Sequence, residues 1–362
     1  TSMDLTRKDR VYRAIFRKDL DYFPSQIDFT PAAACSLLLS LGCLEDELND
    51  LLDNHIVDCF SLGSVEEYLQ NPLILKSAID SGLAYQDVDN HIVYDIWGVG
   101  WDIIPDGGWP KIHPLENLDN YHSYNFPDPY NPHMMDFVRD TILHRNDKYF
   151  ILGSHHTALF ERAWALRGFE NSLMDLYANR NFAEELYDKI TEFQIEIAKQ
   201  FISEGIDGVR VGDDYGMQNG LLMKPDLWRE IIKPRLGRIW EVYQKANIPV
   251  IHHTCGDVRS IMDDFIEMGL DVLHPVQPLA MPITSIMEKY GNVLSFFGGI
   301  DTQRLLPFGT PDKVDESTKF CIDTLGAQGG YIVSPAQAIM EDVPLENIFS
   351  LVGAIKKYRY IG

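Results

Sequence analysis

Short apolar runs alternate along the chain with longer segments in which apolar residues recur every three or four positions. The short runs predict strands at residues 22–28, 55–60, 149–153, 207–211, 249–253, 271–274, 294–298 and 330–334. The clearest helical segments lie at 181–203, 225–246 and 311–325. Eight strand–helix units in one chain predict an α/β protein that folds as a single (β/α)8 barrel, the TIM-barrel architecture.

Residues 83–113 break this rhythm, because apolar and polar positions alternate there and the segment ends in the Gly- and Pro-rich PDGGWP. The pattern predicts a β-hairpin inserted after the second barrel strand. A helical extension is expected at the N-terminus. No low-complexity linker or internal repeat divides the sequence, so we expect one domain over residues 1–362, with residues 1–2 interpreted as the remnant of a tag.

The charge balance narrows the classes of partner. The chain has 54 acidic and 31 basic residues, a formal net charge of −23. Such a surface repels phosphate backbones and anionic membranes, so neither nucleic acid nor a membrane is an expected partner. No apolar stretch reaches the ~20 residues that a membrane helix needs, and no secretory leader is recognisable. Five cysteines without regular spacing favour a reducing cytoplasm.

The barrel prediction brings distant residues together, because the carboxyl ends of barrel strands meet in one cup. Polar side chains dominate the predicted strand ends. They are Asp28, Ser61, Ser154, His155, His156, Asp213, Asp214, His253, Cys255, Asp257, His274, Gln277, Asp301, Gln303, Ser334 and Gln337, with Gly298 and Gly299 among them. A cup of this composition favours binding of a polar small molecule.

The segment IPVIHHTCGD, residues 248–257, raises the question of a metal site. His253 and Cys255 are two residues apart at a strand end, but a catalytic zinc site needs three protein ligands. An oxygen donor such as Glu161 or Asp213 could complete the set, and nothing in the spacing selects one. Contact with a substrate is therefore the favoured role for His253 and Cys255, with metal ligation and plain packing as alternatives.

Other candidates have equally ordinary alternatives. His156 and Glu161 could form a proton relay, or Glu161 could cap a helix and pair with Arg162 or Arg167. Gly299 before Asp301 would allow a ligand to approach the backbone closely, or the pair could form a turn that caps a short helix.

Several segments resemble the uroporphyrinogen decarboxylase superfamily. They include PVIHHTCGDV, GLDVLHP, SFFGGIDTQRLLPFGTP, GGYIVSPAQAIMEDVPLENI, DIWGVGWD, GVRVGDDYGMQNGLLMKP and the opening LTRKDRVYRAIFRKDLDYFP. The resemblance implies a (β/α)8 barrel and one of two chemistries, tetrapyrrole decarboxylation or methyl transfer involving corrinoid proteins. The decarboxylase branch has an arginine-rich motif after its first strand, whereas this chain has PSQIDFTPAAACSLLL, so decarboxylation is disfavoured.

The thiol methyltransferases of the superfamily hold zinc through HxC and a later cysteine, at a position that corresponds to Gln337 in this chain. An amide is a poor zinc ligand, and a thiol acceptor needs zinc to become a thiolate. We therefore expect a methylcorrinoid:tetrahydrofolate methyltransferase, similar to those of glycine betaine demethylation, that works without zinc. The alternative is a zinc-dependent methylcobalamin:coenzyme M methyltransferase. A further alternative is a non-catalytic barrel that binds a pterin or a tetrapyrrole.

In this interpretation, a corrinoid protein is the partner that brings methylcobalamin, and a pterin is the small-molecule substrate. Asp213 or Asp214 would bind the pterin, or else cap a loop. The predicted catalytic residues are His253, Asp213 and Glu161. The predicted substrate-binding residues are Asp214, Gln218, Asn219, His156, Cys255, Gln277, Gly299, Asp301 and Gln337.

Overall fold

The computed structural model describes residues 4–104 and 108–361. Its centre is a curled parallel sheet of seven strands in the order β1-β6-β7-β10-β11-β12-β13. The strands of the sheet are β1 (Ile56–Phe60), β6 (Phe150–His155), β7 (Gly208–Gly212), β10 (Val250–His253), β11 (Val272–Val276), β12 (Ser295–Ile300) and β13 (Tyr331–Pro335). The other six strands are β2 (Tyr85–Asp87), β3 (Ile92–Tyr94), β4 (Gly100–Asp102), β5 (Pro110–Ile112), β8 (Gly216–Met217) and β9 (Gly220–Leu221). Seven of the eight predicted barrel strands are therefore confirmed to within a few residues.

The first predicted strand, residues 22–28, forms isolated bridges in place of a regular strand. Ser25 pairs in parallel with Asn54, just before β1, and with Val333 on β13. The N–H of Val333 donates to the carbonyl of Pro24 at 2.9 Å. Proline has no N–H of its own and therefore cannot extend a ladder. The segment nevertheless contacts both edge strands of the sheet, so it occupies the place of the missing strand.

Helices follow most of the sheet strands, as the pattern predicted. They are α1 (Arg7–Ile15), α2 (Pro31–Leu41), α3 (Glu45–Leu52), α4 (Pro72–Asp80), α5 (Asp136–Arg145), α6 (Phe160–Arg167), α7 (Phe169–Ala178), α8 (Arg180–Glu204), α9 (Pro225–Leu227), α10 (Lys233–Lys245), α11 (Met262–Glu267), α12 (Ile283–Tyr290), α13 (Leu305–Phe308), α14 (Pro311–Leu325) and α15 (Leu345–Tyr358). Short 3-10 turns lie at Val65–Glu67, Leu118–Ser123 and Arg259–Ile261, and a π-helical turn at Trp228–Ile232 joins α9 to α10.

The long helix α8 shows why the periodicity was informative. Its buried face includes Leu186, Ile190, Ile197 and Phe201, which follow one another at spacings of four or seven positions and so lie on one stripe. Gly205 ends the helix in the left-handed conformation. The three clearest helical segments of the sequence correspond to α8, the α9–α10 run and α14. No helix within residues 4–104 and 108–361 is long and apolar enough to cross a bilayer.

The insertion at residues 83–113 is larger than the predicted hairpin. It is a four-stranded antiparallel sheet in the order β2-β3-β4-β5. Each strand has three residues, which is too short for an alternating pattern to reveal every strand separately. The insertion lies between β1 and β6 in the chain, which is after the second predicted strand as expected. Part of PDGGWP, residues 105–107, falls outside the described residues.

Candidate functional site

Three potential metal ligands meet at the carboxyl ends of β7 and β10. Donor atoms of Asp214, His253 and Cys255 all lie within 4.8 Å of one another. The Oδ1 of Asp214 is 3.7 Å from Nε2 of His253, and the Sγ of Cys255 is 3.5 Å from the same nitrogen. We call these three residues the donor cluster. The sequence identifies His253 and Cys255 as possible metal ligands, and the structure adds the carboxylate of Asp214 as the third.

Two glycines allow the loops that carry the donor cluster to touch. A Cβ at Gly216 would lie 2.4 Å from the carbonyl oxygen of Cys255. Gly256 has a φ of +81°, and a Cβ there would lie 2.6 Å from the carbonyl carbon of Gly216. Since side chains at either position would separate the two loops, glycine is required in both. The close approach lets the N–H of Cys255 donate to Oδ1 of Asp214 at 2.8 Å.

The imidazole of His253 is oriented by a second histidine. Its Nδ1 lies 2.8 Å from Nδ1 of His274, so the two nitrogens share one proton. Burial lowers the pKa of His253 to about 4 and that of His274 well below its usual range, so both rings are neutral at pH 7. When the shared proton is on His253, its Nε2 presents a free lone pair to the donor cluster. Metal-ligating histidines are typically oriented through their other nitrogen in this way.

Acidic groups surround the donor cluster on the side of α6. Glu161 accepts the backbone N–H of Asp214 at 3.0 Å. Burial, followed by the nearby charges of Asp214 and Asp213, raises the pKa of Glu161 well above its usual value. These charged neighbours are of like sign, and none of the described salt bridges reaches Glu161. The arrangement therefore favours a bound cation.

A thiol buried at this place stays protonated unless a cation binds it. Burial, followed by the charge of Asp214, raises the pKa of Cys255 above its usual value. The amide Nε2 of Gln337 donates to the sulfur at 3.2 Å. Gln277 accepts the N–H of Gly256 at 2.6 Å and so holds the Cys255 loop in place. Gln337 and Gln277, two of the residues predicted to bind substrate, therefore contact the segment that carries Cys255.

A cavity of about 220 Å³ opens beside the donor cluster. Its polar lining comes from the interior of the sheet and from the segment that follows β13. The lining includes Asp28, Asp58, Ser154, His155, His156, Arg210, His253, His274, Ser334 and Gln337. This volume exceeds many times the ~10–15 Å³ that one water needs on the same measure, so a small organic molecule fits.

Asp213 and Asp214 have different surroundings although they are adjacent. Asp213 is completely buried, and its carboxylate accepts the N–H groups of Phe160 at 2.6 Å and Glu161 at 2.9 Å. It caps α6, which is the alternative that the sequence left open. Burial raises the pKa of Asp213 to about 7. Of these two aspartates, only Asp214 belongs to the donor cluster.

The relay predicted for His156 and Glu161 is not formed, because no hydrogen bond joins them among the described residues. His156 lines the cavity, whereas Glu161 faces Asp214. The alternative pairing of Glu161 with an arginine is also wrong. Arg162 binds Glu66 and Asp95, and Arg167 binds Asp175.

Four further residues lie away from the donor cluster. Gln218 and Asn219 are exposed at the turn between β8 and β9, and Gln218 donates to the carbonyl of Leu279. Asp301 accepts the N–H groups of Gln303, Arg304 and Leu305, so it caps α13. A Cβ at Gly299 would lie 2.6 Å from Leu325 of α14, so this glycine serves packing against that helix. The helix-capping alternative holds for Asp301.

Arg210, Asp58 and His274 were not chosen as site residues from the sequence. Arg210 and Asp58 interrupt otherwise apolar strands, β7 and β1, at positions whose side chains enter the cavity. A charged residue within a buried parallel strand was the available signal, since such strands are usually apolar throughout. His274 had been placed in the predicted cup but had been given no role.

Comparisons with known proteins agree with this fold. A family model described as Uroporphyrinogen decarboxylase (URO-D) matches residues 83–358. The methylated-thiol–coenzyme M methyltransferase of Methanosarcina mazei is 27% identical over 201 residues, 56% of this chain and 52% of that protein. A uroporphyrinogen decarboxylase of Anaeromyxobacter is 24% identical over 262 residues, 70% of this chain and 72% of that protein.

A solved structure described as a methyltransferase from Methanosarcina mazei has a TM-score of 0.69 to this chain, with 18% sequence identity. The match covers 98% of this chain and 99% of that one, and it shows a shared fold. The chain spans about half the length of the curated methyltransferases that it matches.

Proposed function

Since the chain belongs to the uroporphyrinogen decarboxylase family, we propose that it uses the barrel mouth to transfer a methyl group from a methylated corrinoid protein to a thiol. The donor cluster is the observation that carries this proposal. It supplies a carboxylate, an imidazole and a thiol within 4.8 Å. Three protein ligands with one open position are typical of catalytic zinc sites. Similarity to a thiol methyltransferase supports the same reaction class.

The residues present fit a zinc ion. His253 offers a neutral imidazole, Cys255 offers sulfur, and Asp214 offers the oxygen that the sequence did not locate. A bound zinc ion would stabilise a thiolate at neutral pH, which is the form of the acceptor that attacks a methyl group. The absence of a cysteine at position 337 therefore does not remove the thiol route, since Asp214 takes the place of the third donor.

The remaining groups position these ligands. His274 and Glu161 orient His253 and the backbone at Asp214, while Gln277 holds the Cys255 loop. In the transfer the acceptor sulfur forms a bond to the methyl carbon as the carbon–cobalt bond breaks. Both electrons of the broken bond remain on cobalt, which is reduced from Co(III) to Co(I), and the thiol proton is released.

Tetrahydrofolate, the acceptor predicted from the sequence, is retained as a second candidate. Two carboxylates, Asp28 and Asp58, line the cavity and could accept the amino and ring N–H groups of a pterin. Decarboxylation of a tetrapyrrole is less well supported, because the same carboxylates would repel a polyanionic substrate. Arg210 is the one arginine in the cavity lining, and it is paired with Asp58.

The experiment is a methyl-transfer assay with methylcobalamin as donor, in which 2-mercaptoethanol and tetrahydrofolate are compared as acceptors. We expect the thiol to be methylated, a strong chelator to stop the reaction and added zinc to restore it. Methylation of tetrahydrofolate that is unaffected by the chelator would contradict the thiol proposal and support the folate candidate. Loss of methylcobalamin with neither acceptor methylated would contradict both.

A further inference from the structure

The cavity contains a carboxylate that the proposed chemistry does not use. Asp28 follows the segment that joins the two edges of the sheet, and it lines the same cavity as His253 and Gln337. Asp28 is solvent-exposed at the wall of this cavity, and desolvation by the surrounding protein, followed by the charge of Asp58, raises the pKa of its carboxyl. Among the described residues the carboxylate of Asp28 accepts one hydrogen bond, from Nε2 of Gln26 at 2.9 Å, and forms no ion pair. This accessible carboxylate therefore faces the cavity without a cation at ion-pair distance among the described side chains.

The nearby arginine does not supply that partner. Arg210 forms its ion pair with Asp58 at 2.5 Å. A third carboxylate, Glu67, accepts a hydrogen bond from Ser154 at the edge of the cavity. The formal charge of Asp28, Asp58, Glu67 and Arg210 together is therefore negative. Electrostatic complementarity favours a ligand that brings positive charge and disfavours an anionic one.

We propose that the acceptor is an aminothiol, with its ammonium group bound by Asp28 and its sulfur directed to the donor cluster. This inference rests on the proposed function and specifies its substrate class. The cavity accommodates a small molecule of this kind, since its lining runs from Asp28 to His253. An ammonium group would give Asp28 the charge-assisted hydrogen bond that no described side chain provides. A thiol whose only charged group is a sulfonate or a carboxylate would instead be repelled by the negative charge of Asp28.

The test compares four probe thiols on the zinc-loaded protein. Cysteamine and homocysteine carry an ammonium group, 2-mercaptoethanol is neutral, and 2-mercaptoethanesulfonate is anionic. We expect kcat/KM with methylcobalamin to be roughly 10- to 100-fold higher for cysteamine than for 2-mercaptoethanol, as for a hydrogen bond to a charged group, and lowest for the sulfonate. A sulfonate used as well as, or better than, cysteamine would overturn the proposal.

Variants locate the source of the preference. Asp28→Asn is expected to remove the advantage in kcat/KM of cysteamine over 2-mercaptoethanol. Asp58→Asn frees Arg210 from its ion pair, so it is expected to improve use of the sulfonate relative to wild type. Asp89→Asn, in the exposed turn between β2 and β3, is the matched control and should keep the wild-type preference. An unchanged preference in Asp28→Asn would contradict the assignment.

Binding is measured separately from turnover, so that the two proposals fail in different ways. Calorimetry with cysteamine and 2-mercaptoethanol reports whether the ammonium group adds affinity, and thermal denaturation checks that each variant is folded. Turnover of 2-mercaptoethanol without any preference for cysteamine in turnover or binding would refute the aminothiol assignment alone. Methylation of no thiol would refute the proposed function, and equal binding of the two probes would then also refute the role of Asp28.

Discussion

Glu161 and Arg162 are neighbours on α6, but they belong to two charged clusters of different kinds, of which the Arg162 cluster is buried and the Glu161 cluster is partly exposed. Arg162 binds Asp95 at 2.7 Å and Glu66 at 3.1 Å, and the side chains of all three residues are at most 4% exposed. Glu161 faces Asp213 and Asp214, whose charges add to the desolvation that raises its pKa. The first cluster contains its own counter-ion, whereas the second contains only acids.

This difference distinguishes charged groups that stabilise the fold from charged groups that can bind a ligand. A buried ion pair that is complete within the chain contributes to the fold and leaves nothing for a ligand to bind. Acidic groups that are buried without a cation are costly unless something neutralises them. The cluster of Glu161, Asp213 and Asp214 adjoins His253 and Cys255, where a metal ion would supply the missing positive charge. Three predictions test whether the two clusters differ in this way, and a fourth concerns a carboxylate outside both.

The largest expected effect is the loss of activity when a donor is removed. His253→Ala and Cys255→Ser should lower kcat/KM for thiol methylation by about 1000-fold or more, which is ~4 kcal/mol, because a bound metal contributes several kcal/mol to catalysis. Both variants should remain folded by circular dichroism. The exposed His133 provides the control His133→Ala. Activity within threefold of wild type in either donor variant would be incompatible with the site.

Arg162→Met should instead affect folding. Removing one member of a buried ion network leaves Glu66 and Asp95 without their counter-ion, which costs about 3–5 kcal/mol of unfolding free energy. Urea denaturation measures the change. Arg180 forms ion pairs with Glu184 and Glu230 at the surface, so Arg180→Met should leave stability nearly unchanged. Equal losses in the two variants would mean that the Arg162 cluster is not the structural one.

Metal binding by the donor cluster should release protons. Burial raises the pKa of Cys255, so the free protein holds a neutral thiol at pH 7. Zinc requires the thiolate, and binding should therefore release about one proton or more and become tighter as pH rises. Calorimetry in buffers of different ionisation enthalpy counts the protons. Cys255→Ser should release fewer, and proton uptake by the wild type would contradict this charge assignment.

The smallest effect is expected at Asp301, a residue first considered for ligand binding. Its carboxylate accepts three backbone N–H groups at the start of α13. Asp301→Ala should cost about 1 kcal/mol of unfolding free energy, as for other helix caps. Methyl-transfer kinetics should stay within twofold of wild type. A large rise in KM with unchanged stability would return Asp301 to the ligand site.

The sequence was most informative about the scaffold. Repeated apolar runs located seven sheet strands, because each parallel strand is buried on both faces and is therefore apolar along its length. The segment at 22–28 forms only bridges, since Pro24 cannot donate to its neighbour. The insertion was placed correctly, but strands of three residues were too short to count from alternation.

The site was only partly predictable, because its members are defined by loop geometry. His253 and Cys255 could be read from HTC, but Asp214 joins them only because Gly216 and Gly256 let two loops touch. Adjacent residues of an extended chain point to opposite sides, so the sequence predicts that at most one of Asp213 and Asp214 faces the cup, without selecting which. Helix capping by Asp213 made that selection. The presence of Arg210 and Asp58 in the site could not be predicted, because it depends on which side of each strand faces the cavity.

X-ray absorption at the zinc edge of protein purified without chelators tests the central claim most directly. We expect about one zinc per chain, with one sulfur ligand and the remaining ligands nitrogen or oxygen, as His253, Cys255 and Asp214 would provide. The sulfur contribution should disappear in Cys255→Ser. Active protein that contains no stoichiometric metal, or zinc whose ligands include no sulfur, would contradict the account.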